Sequence, residues 1–352
     1  MSPSTSSTPQ PLISVLMPYY NNLEHVEASI QSAYAQSYPH WELIVVNDAS
    51  PDPEATAHIE ALQQRFGFTL IHSPRNQGAS KTLQTAFEAS RGEYISVLSH
   101  DDLYTPNKLE LSMQWIQEHG LDAIYCNGAI INNANDVPPQ PFETATVEHV
   151  LATEGQAGVA ALISENDNYG CLLTQGAVYS RRVFEELAWV RDQFLLDDYP
   201  FTVLVWQRYK TSFCSQVVYL YRHHDHNIHK EFWRWLPARV QVVCQLVPPE
   251  RRIEALSFLL SNLGEFHLQQ QQPKEALRLC LAGLALSQEA PNTAYAKRLL
   301  AFTGLPQKAL WALLLALLGL LGPLVYKRLL KALTGVLPSK ALRSRCRQWL
   351  KV

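Results

Sequence analysis

Charge is scarce in this 352-residue chain: Asp, Glu, Lys and Arg make up 17% and the net charge is -3. Global electrostatic attraction to nucleic acid is therefore absent, and no nucleic-acid partner is expected. Cysteine is also thin, with six residues and no CxxC or other ligand-type spacing. That excludes a disulfide scaffold and a structural zinc site, and fits a reducing compartment. The start, MSPSTSSTPQP, lacks the basic residue and apolar run of a secretory signal, so residues 1–11 read as a flexible leader. No GxGxxG follows the first apolar run, which removes the dinucleotide-binding fingerprint. What is abundant is apolar material, 47% of the chain, enough for a core and incompatible with general disorder.

Three regimes follow the leader. Over residues 12–230, short Val-, Ile- and Leu-rich runs alternate with amphipathic stretches. Leu12–Pro18, Trp41–Asn47, Phe68–His72 and Tyr94–Leu98 read as strands. Leu23–Gln36, Glu54–Phe66 and Ser80–Ser90 read as helices between them. This alternation predicts an α/β domain with a mostly parallel sheet covered on both faces. Residues 231–305 read as an all-helical extension, with one tetratricopeptide-like hairpin over Leu260–Leu286 carried by Leu263-Gly264, Ala276 and Gly283. An ordinary two-helix extension fits that stretch as well. Residues 306–352 form a tail in which Ala309–Tyr326 is eighteen residues without a charge, followed by eight Lys and Arg and no acid. Eighteen residues is the lower limit for a span, and a basic flank suits the anionic cytoplasmic leaflet. The tail is expected to contact that membrane as an interfacial, re-entrant or spanning segment. A C-terminal helix pair hiding its Leu face in a homodimer is the alternative.

Ligands of such sheets sit beyond the carboxyl ends of the strands. The second strand ends in Asn47-Asp48-Ala49-Ser50, where Asp48 either meets a base or ribose or caps the next helix. The fourth ends in Ser99-His100-Asp101-Asp102, and paired carboxylates there are costly unless they hold a cation or face solvent. Mg²⁺ takes few protein ligands and completes its shell from phosphate and water, so a carboxylate–metal–diphosphate arrangement is the expected use. Asp197-Asp198 reads as a loop acid pair by itself. The cluster His223, His224, His226 and His229 fits no common zinc spacing.

Taken as ordered strings, these blocks resemble the inverting family 2 glycosyltransferases of the GT-A fold. The strings are ISVLMPYYNN, SIQSAYAQSYPHWELIVVNDAS, NQGASKTL, GEYISVLSHDDLYTPNKLE, GAVYSRRVFEEL, LLDDYPFTVLVWQR and YRHHDHNIH. The resemblance implies a GT-A Rossmann-like domain that uses a nucleotide-sugar donor, by default a UDP-sugar, with Mg²⁺ or Mn²⁺. It implies that Pro18 and Tyr20 line the nucleotide pocket, and that Asp48 meets uracil or ribose. Asn76, Gly78 and Lys81 would border the base and diphosphate. Asp101 would be the metal-binding acid of the DxD motif, with Asp102 supporting the donor sugar or metal shell. Asp198 would be the general base, and His224 would reach the metal or diphosphate. The acceptor would be a glycan, a lipid-linked sugar or a growing polysaccharide, with 132–169 contributing to its side of the site.

Four departures from the family pattern stand out. Ser99 replaces the first acid of DxD, which predicts weaker metal binding. Asn47 replaces the first of two strand-end acids, Leu83 stands in place of a usual Arg, and His229 in place of a usual Ser. Two rivals follow: a nucleotide-sugar-binding protein without catalysis, and an assembly protein that works through its helical region and tail.

Overall fold

The first four apolar runs form strands. The computed structural model describes residues 10–133, 138–166, 171–188, 190–194, 198–223, 232–252, 255–256 and 259. The remaining residues include the leader to residue 9, His224, the Leu260–Leu286 hairpin and the whole tail, so the expectations for these segments lie outside the described residues. The chain divides into two compact units, Met1–Ile163 with Asn168–Lys230, and Ser164–Asp167 with Glu231–Val352.

The larger unit opens with β1 (Ile13–Tyr19), α1 (Val26–Tyr34), β2 (Trp41–Asn47), α2 (Pro53–Phe66), β3 (Thr69–His72), α3 (Ala79–Ala89) and β4 (Tyr94–Val97). It continues with β5 (Leu103–Tyr104), α4 (Lys108–His119), β6 (Ala123–Asn132), β7 (Gln140–Pro141) and α5 (Ala145–Asn166), whose helix is broken at Gly155. After it come β8 (Ala177–Ser180), α6 (Arg181–Glu186), α7 (Val190–Gln193), α8 (Asp198–Arg208) and β9 (Thr211–His223).

Local chemistry sets these boundaries. Asp52 caps α2 by accepting from the Glu54 N–H at 2.9 Å, Pro53 fills the first helical position, and Gly67 ends the helix at φ 80°. α1 begins three residues later than its apolar spacing predicts, because the Asn22 side chain accepts the His25 N–H at 2.9 Å in a turn.

The sheet runs β3-β2-β1-β4-β8-β6-β9-β5, with β7 on β6. β1, β2, β3, β4, β6 and β9 point one way, and β5, β7 and β8 the other. The sheet is thus mostly parallel by strand direction but mixed beyond β4. Ile13, Val15, Met17, Leu43 and Val45 share a buried cluster with Val26 and Ile30 of α1, Ile59 and Leu62 of α2, and Leu109, Met113 and Ile116 of α4. The alternating residues Leu16, Ile44 and Val46 are equally buried, and α3 lies against β1 and β2. Strands covered on both faces need the continuous apolar runs seen in the sequence.

β1 pairs with β2 on one side and β4 on the other, all parallel, so the connections leave it in opposite directions. Such a switch point is where α/β sheets of this kind place their ligands, beyond the carboxyl ends of the strands. In the mixed half, β6 and β9 pair in parallel through a register shift at Cys126–Gly128. A side-chain carbon on Gly128 would overlap the Tyr219 ring, and one on Gly176 would overlap the Cys126 carbonyl. Both glycines therefore let the bulged strands close around Tyr219.

In the smaller unit the described residues form α9 (Phe232–Leu246) and a 3-10 turn at Pro249–Arg251. Val243, Val247 and Ala255 make a small apolar cluster within it. Among the described residues, no helix is long and apolar enough to cross a membrane.

Candidate active site

The loops after β1 and β2 meet because Tyr19 and Asn47 are register partners. Asn21 and Ala49 hold φ 50° and 54°, the only non-glycine residues of positive φ among those described. A dense local network holds them there. The Asn47 Oδ1 accepts the Ser50 N–H at 3.0 Å and the Ser50 hydroxyl at 2.7 Å. The Ser50 oxygen in turn accepts the Asn21 N–H at 2.9 Å, and Asn21 Oδ1 accepts the Asp52 N–H at 3.2 Å. Asn47 therefore serves as the brace of the second loop.

Asp48 is 4% exposed, and both its oxygens face the loop before α3. Oδ1 accepts the Gln77 N–H at 2.9 Å and Oδ2 accepts the Gly78 N–H at 2.8 Å. Its main-chain N–H donates to the Tyr19 carbonyl at 2.9 Å. Asp48 thus ties together three segments that the sequence reading had assigned separately. Gly78 stands before α3 at φ 84° and ψ 161°, a conformation essentially reserved for glycine. Asn76 and Lys81 are exposed around this loop, and Tyr20 is exposed at the end of β1. Pro18 is half-buried, and its carbonyl accepts from His100 Nδ1 at 3.0 Å, which places the proton of that ring nitrogen.

Ser99–Asp102 forms a turn closed by the Asp102 N–H on the Ser99 carbonyl at 3.3 Å. The Asp101 side chain is half-buried, whereas Asp102 is 1% exposed. Asp102 Oδ1 accepts the Arg222 N–H at 2.9 Å, and Oδ2 is buried with no hydrogen-bond partner among the described residues. Burial, then the neighbouring Asp101 charge, push the Asp102 carboxyl well above the usual carboxylate range. The Arg222 N–H, the Ser99 hydroxyl and the Arg222 charge pull it back. Ser99 also accepts a hydrogen bond from Gln175 Nε2 at 2.8 Å.

Asp198 is exposed at the first turn of α8, where a negative charge is favoured, and its Oδ1 receives the Tyr199 N–H at 2.7 Å. It stands on a different element from the strand-end acids. His224 lies outside the described residues, immediately after β9. Among the described residues no three His, Cys, Asp or Glu converge as a metal cage. One half-buried carboxylate beside a buried one with an unpartnered oxygen fits a hard cation that takes most of its shell from phosphate and water.

The sequence reading passed over Arg222, Gln175 and Lys108. Arg222 lies inside the YRHH string, whose histidine carries the motif, and Lys108 inside PNKLE. Nothing local marks Gln175.

Residues 14–188, about half of the chain, match the profile of Glycosyl transferase family 2. The chain belongs to that family. Over 122 residues it is 34% identical to the UDP-Glc:alpha-D-GlcNAc-diphosphoundecaprenol beta-1,3-glucosyltransferase WfgD of Escherichia coli, covering 35% of this chain and 47% of that protein. The chain spans less than half the length of the curated relatives it matches. Among solved structures, S. aureus TarS in complex with UDP-GlcNAc superposes with a TM-score of 0.54 at 16% identity, over 79% of this chain and 81% of that one. The mannosyltransferase PcManGT of Pyrobaculum calidifontis, in complex with GDP-Man and Mn²⁺, gives 0.53 at 18% identity over 87% and 84%. At these identities the structures establish the shared GT-A-like fold.

Proposed function

We propose that this protein transfers a sugar, with inversion, from a nucleoside-diphosphate sugar to a hydroxyl of a glycan, lipid-linked or polysaccharide acceptor. The observation that carries the reading is the acid-bearing turn Ser99–Asp102, set at the switch point of a chain that belongs to glycosyl transferase family 2. WfgD is named for a UDP-Glc donor and a diphosphoundecaprenol-linked acceptor, and TarS was crystallised with UDP-GlcNAc, which favours a UDP-sugar here. The basic, apolar tail suits work on a lipid-linked acceptor at the cytoplasmic face, with residues 231–305 as a helical extension and 306–352 on the membrane surface.

In this reading the acceptor oxygen bonds to the anomeric carbon as the bond to the diphosphate breaks on the opposite face. Asp198 takes the acceptor proton. The α3 loop, held by Asp48, receives the nucleotide with Pro18, Tyr20, Asn76, Gly78 and Lys81 around it. Asp101, with Asp102 behind it and His224, two residues after Arg222 in the sequence, would hold Mg²⁺ or Mn²⁺. Held there, the cation would supply Lewis-acid stabilisation of the departing diphosphate.

The test is nucleoside-diphosphate release from UDP-, dTDP- and GDP-sugars with Mn²⁺, Mg²⁺ or EDTA, beside Asp101→Ala and Asp198→Asn. Metal-dependent release from one donor, lost in Asp101→Ala, supports the reading. A near-normal rate in Asp198→Asn removes Asp198 as base. Metal-dependent nucleotide binding without release or transfer, with acceptors supplied, would identify a non-catalytic binder; Ser99 is the feature that favours it.

A further inference from the structure

The largest charged side chain in the core is Arg222, 2% exposed at the end of β9. Its surroundings come from distant parts of the chain. Its main-chain N–H donates to Asp102 Oδ1 at 2.9 Å, and its Nε donates to the main-chain carbonyl of Asp101 at 2.9 Å. Its Nη1 donates to the Asn132 carbonyl at 3.3 Å and the Asn133 carbonyl at 3.1 Å, at the end of β6. The Asn133 side chain continues the chain of contacts, donating to Glu24 Oε1 at 2.9 Å in the segment after β1.

We propose that Arg222 is a positioning residue that fixes the Asp101 peptide, and so the metal-binding carboxylate, against the ends of β6 and β9. This rests on the glycosyl-transfer reading of Asp101. The chemistry is specific to arginine. Three main-chain oxygens from two segments are met by one planar fork, which a single ammonium cannot reproduce in fixed directions. A buried guanidinium that feels the charges of Asp102 and Asp101 is weak evidence for stability in itself, since desolvation offsets the attraction. What the arrangement does secure is geometry. The bond lands on the peptide that carries Asp101, and the same side chain immediately precedes the histidine segment 223–224. One residue thereby sets the spacing between the acid turn and the ends of β6 and β9.

The experiment uses the full chain, with Arg222→Lys as the conservative variant and Arg222→Gln as a second that keeps some donors without charge. Two quantities are measured. One is the Mn²⁺ concentration that half-saturates UDP binding, by calorimetry; the other is amide hydrogen exchange over 99–102 and 130–133. Outer partners that orient a metal ligand typically change metal affinity by about 10–100-fold when replaced. Both variants should raise the Mn²⁺ half-saturation by about ten-fold or more. They should also speed exchange in both segments together, with α2 and β2 amides unchanged. In turnover, kcat should fall more than the donor KM rises.

A Mn²⁺ half-saturation within about two-fold of wild type in both folded variants, against the change expected of an outer partner, overturns the proposal. So does exchange that rises uniformly across the unit, which marks Arg222 as merely structural. If wild-type protein shows no Mn²⁺-dependent UDP binding, the glycosyl-transfer reading fails instead. The paired exchange of 99–102 and 130–133 then still decides whether the clamp exists.

Discussion

Lys108 is the clearest place where burial makes a numerical demand. It is the first residue of α4, fully buried, with its ammonium 2.9 Å from Ser96 Oγ, 3.1 Å from the Ala177 carbonyl and 4.3 Å from the Tyr104 ring centre. No carboxylate is among these partners. Burial accordingly pushes its pKa down from 10.5 to about 7. Between those values the unfolded lysine holds a proton that the folded one has released, so stability rises with pH through this window. From pH 7 to pH 9 the difference averages roughly 0.85 proton, and at about 1.4 kcal/mol per proton and pH unit this gives about 2 kcal/mol. Below pH 7 both states are protonated, and the full cost of burying the charge is present. Lys108→Met keeps the length and removes the titration. It leaves no stranded partner, because Ser96 Oγ still bonds the Tyr104 hydroxyl at 2.8 Å and the Ala177 carbonyl at 3.1 Å. Denaturant unfolding of both proteins at the two pH values, followed by tryptophan fluorescence, isolates the effect, since Trp206 is buried in the same unit. The variant should lose about 2 kcal/mol of its advantage over wild type on going from pH 7 to pH 9. A difference between the two proteins that stays constant to about 0.5 kcal/mol would refute the reasoning.

Gly78→Ala places a side chain at φ 84° with nothing within 4 Å of it, so the cost is purely conformational. About 1–3 kcal/mol of stability should be lost, with a raised donor KM because the α3 loop must shift. Gly128→Ala drives a methyl group into the Tyr219 ring and should cost about 1–3 kcal/mol. Tyr219→Ala in the same chain should recover part of that loss in a double-mutant cycle. Asp48→Asn retains one oxygen acceptor for two amides, Gln77 and Gly78. It should cost about 1–2 kcal/mol and weaken nucleotide binding more than it slows bound turnover, as measured by titration and steady-state kinetics.

The parallel half of the sheet was legible because its determinants are local. Trp41–Asn47 is a strand in both readings, and α2 is bracketed by Asp52, Pro53 and Gly67, whose side-chain chemistry starts and stops a helix anywhere. The mixed half was not. β8 turns antiparallel between β4 and β6, and β5 is two residues long and exists only because Leu103 and Tyr104 pair with Leu220 and Tyr219. Pairings between strands this far apart in the sequence, 117 residues for Leu103 and Leu220, leave no periodic trace in either partner.

The site divides along the same line, and Ser99 shows why. From sequence, its exchange for an acid reads as a metal ligand lost. In the fold, position 99 is also a neighbour of Asp102, whose carboxylate is already raised by burial and by Asp101. A third carboxylate there would add like charge to a buried acid whose relief comes from Arg222 and one hydroxyl. Serine supplies that hydroxyl and accepts from Gln175, so the substitution removes a ligand and relieves a repulsion in the same step. The sequence exposes the first consequence because the motif is contiguous. The second depends on Gln175 and Arg222, which fold back onto the turn from 76 and 121 positions away.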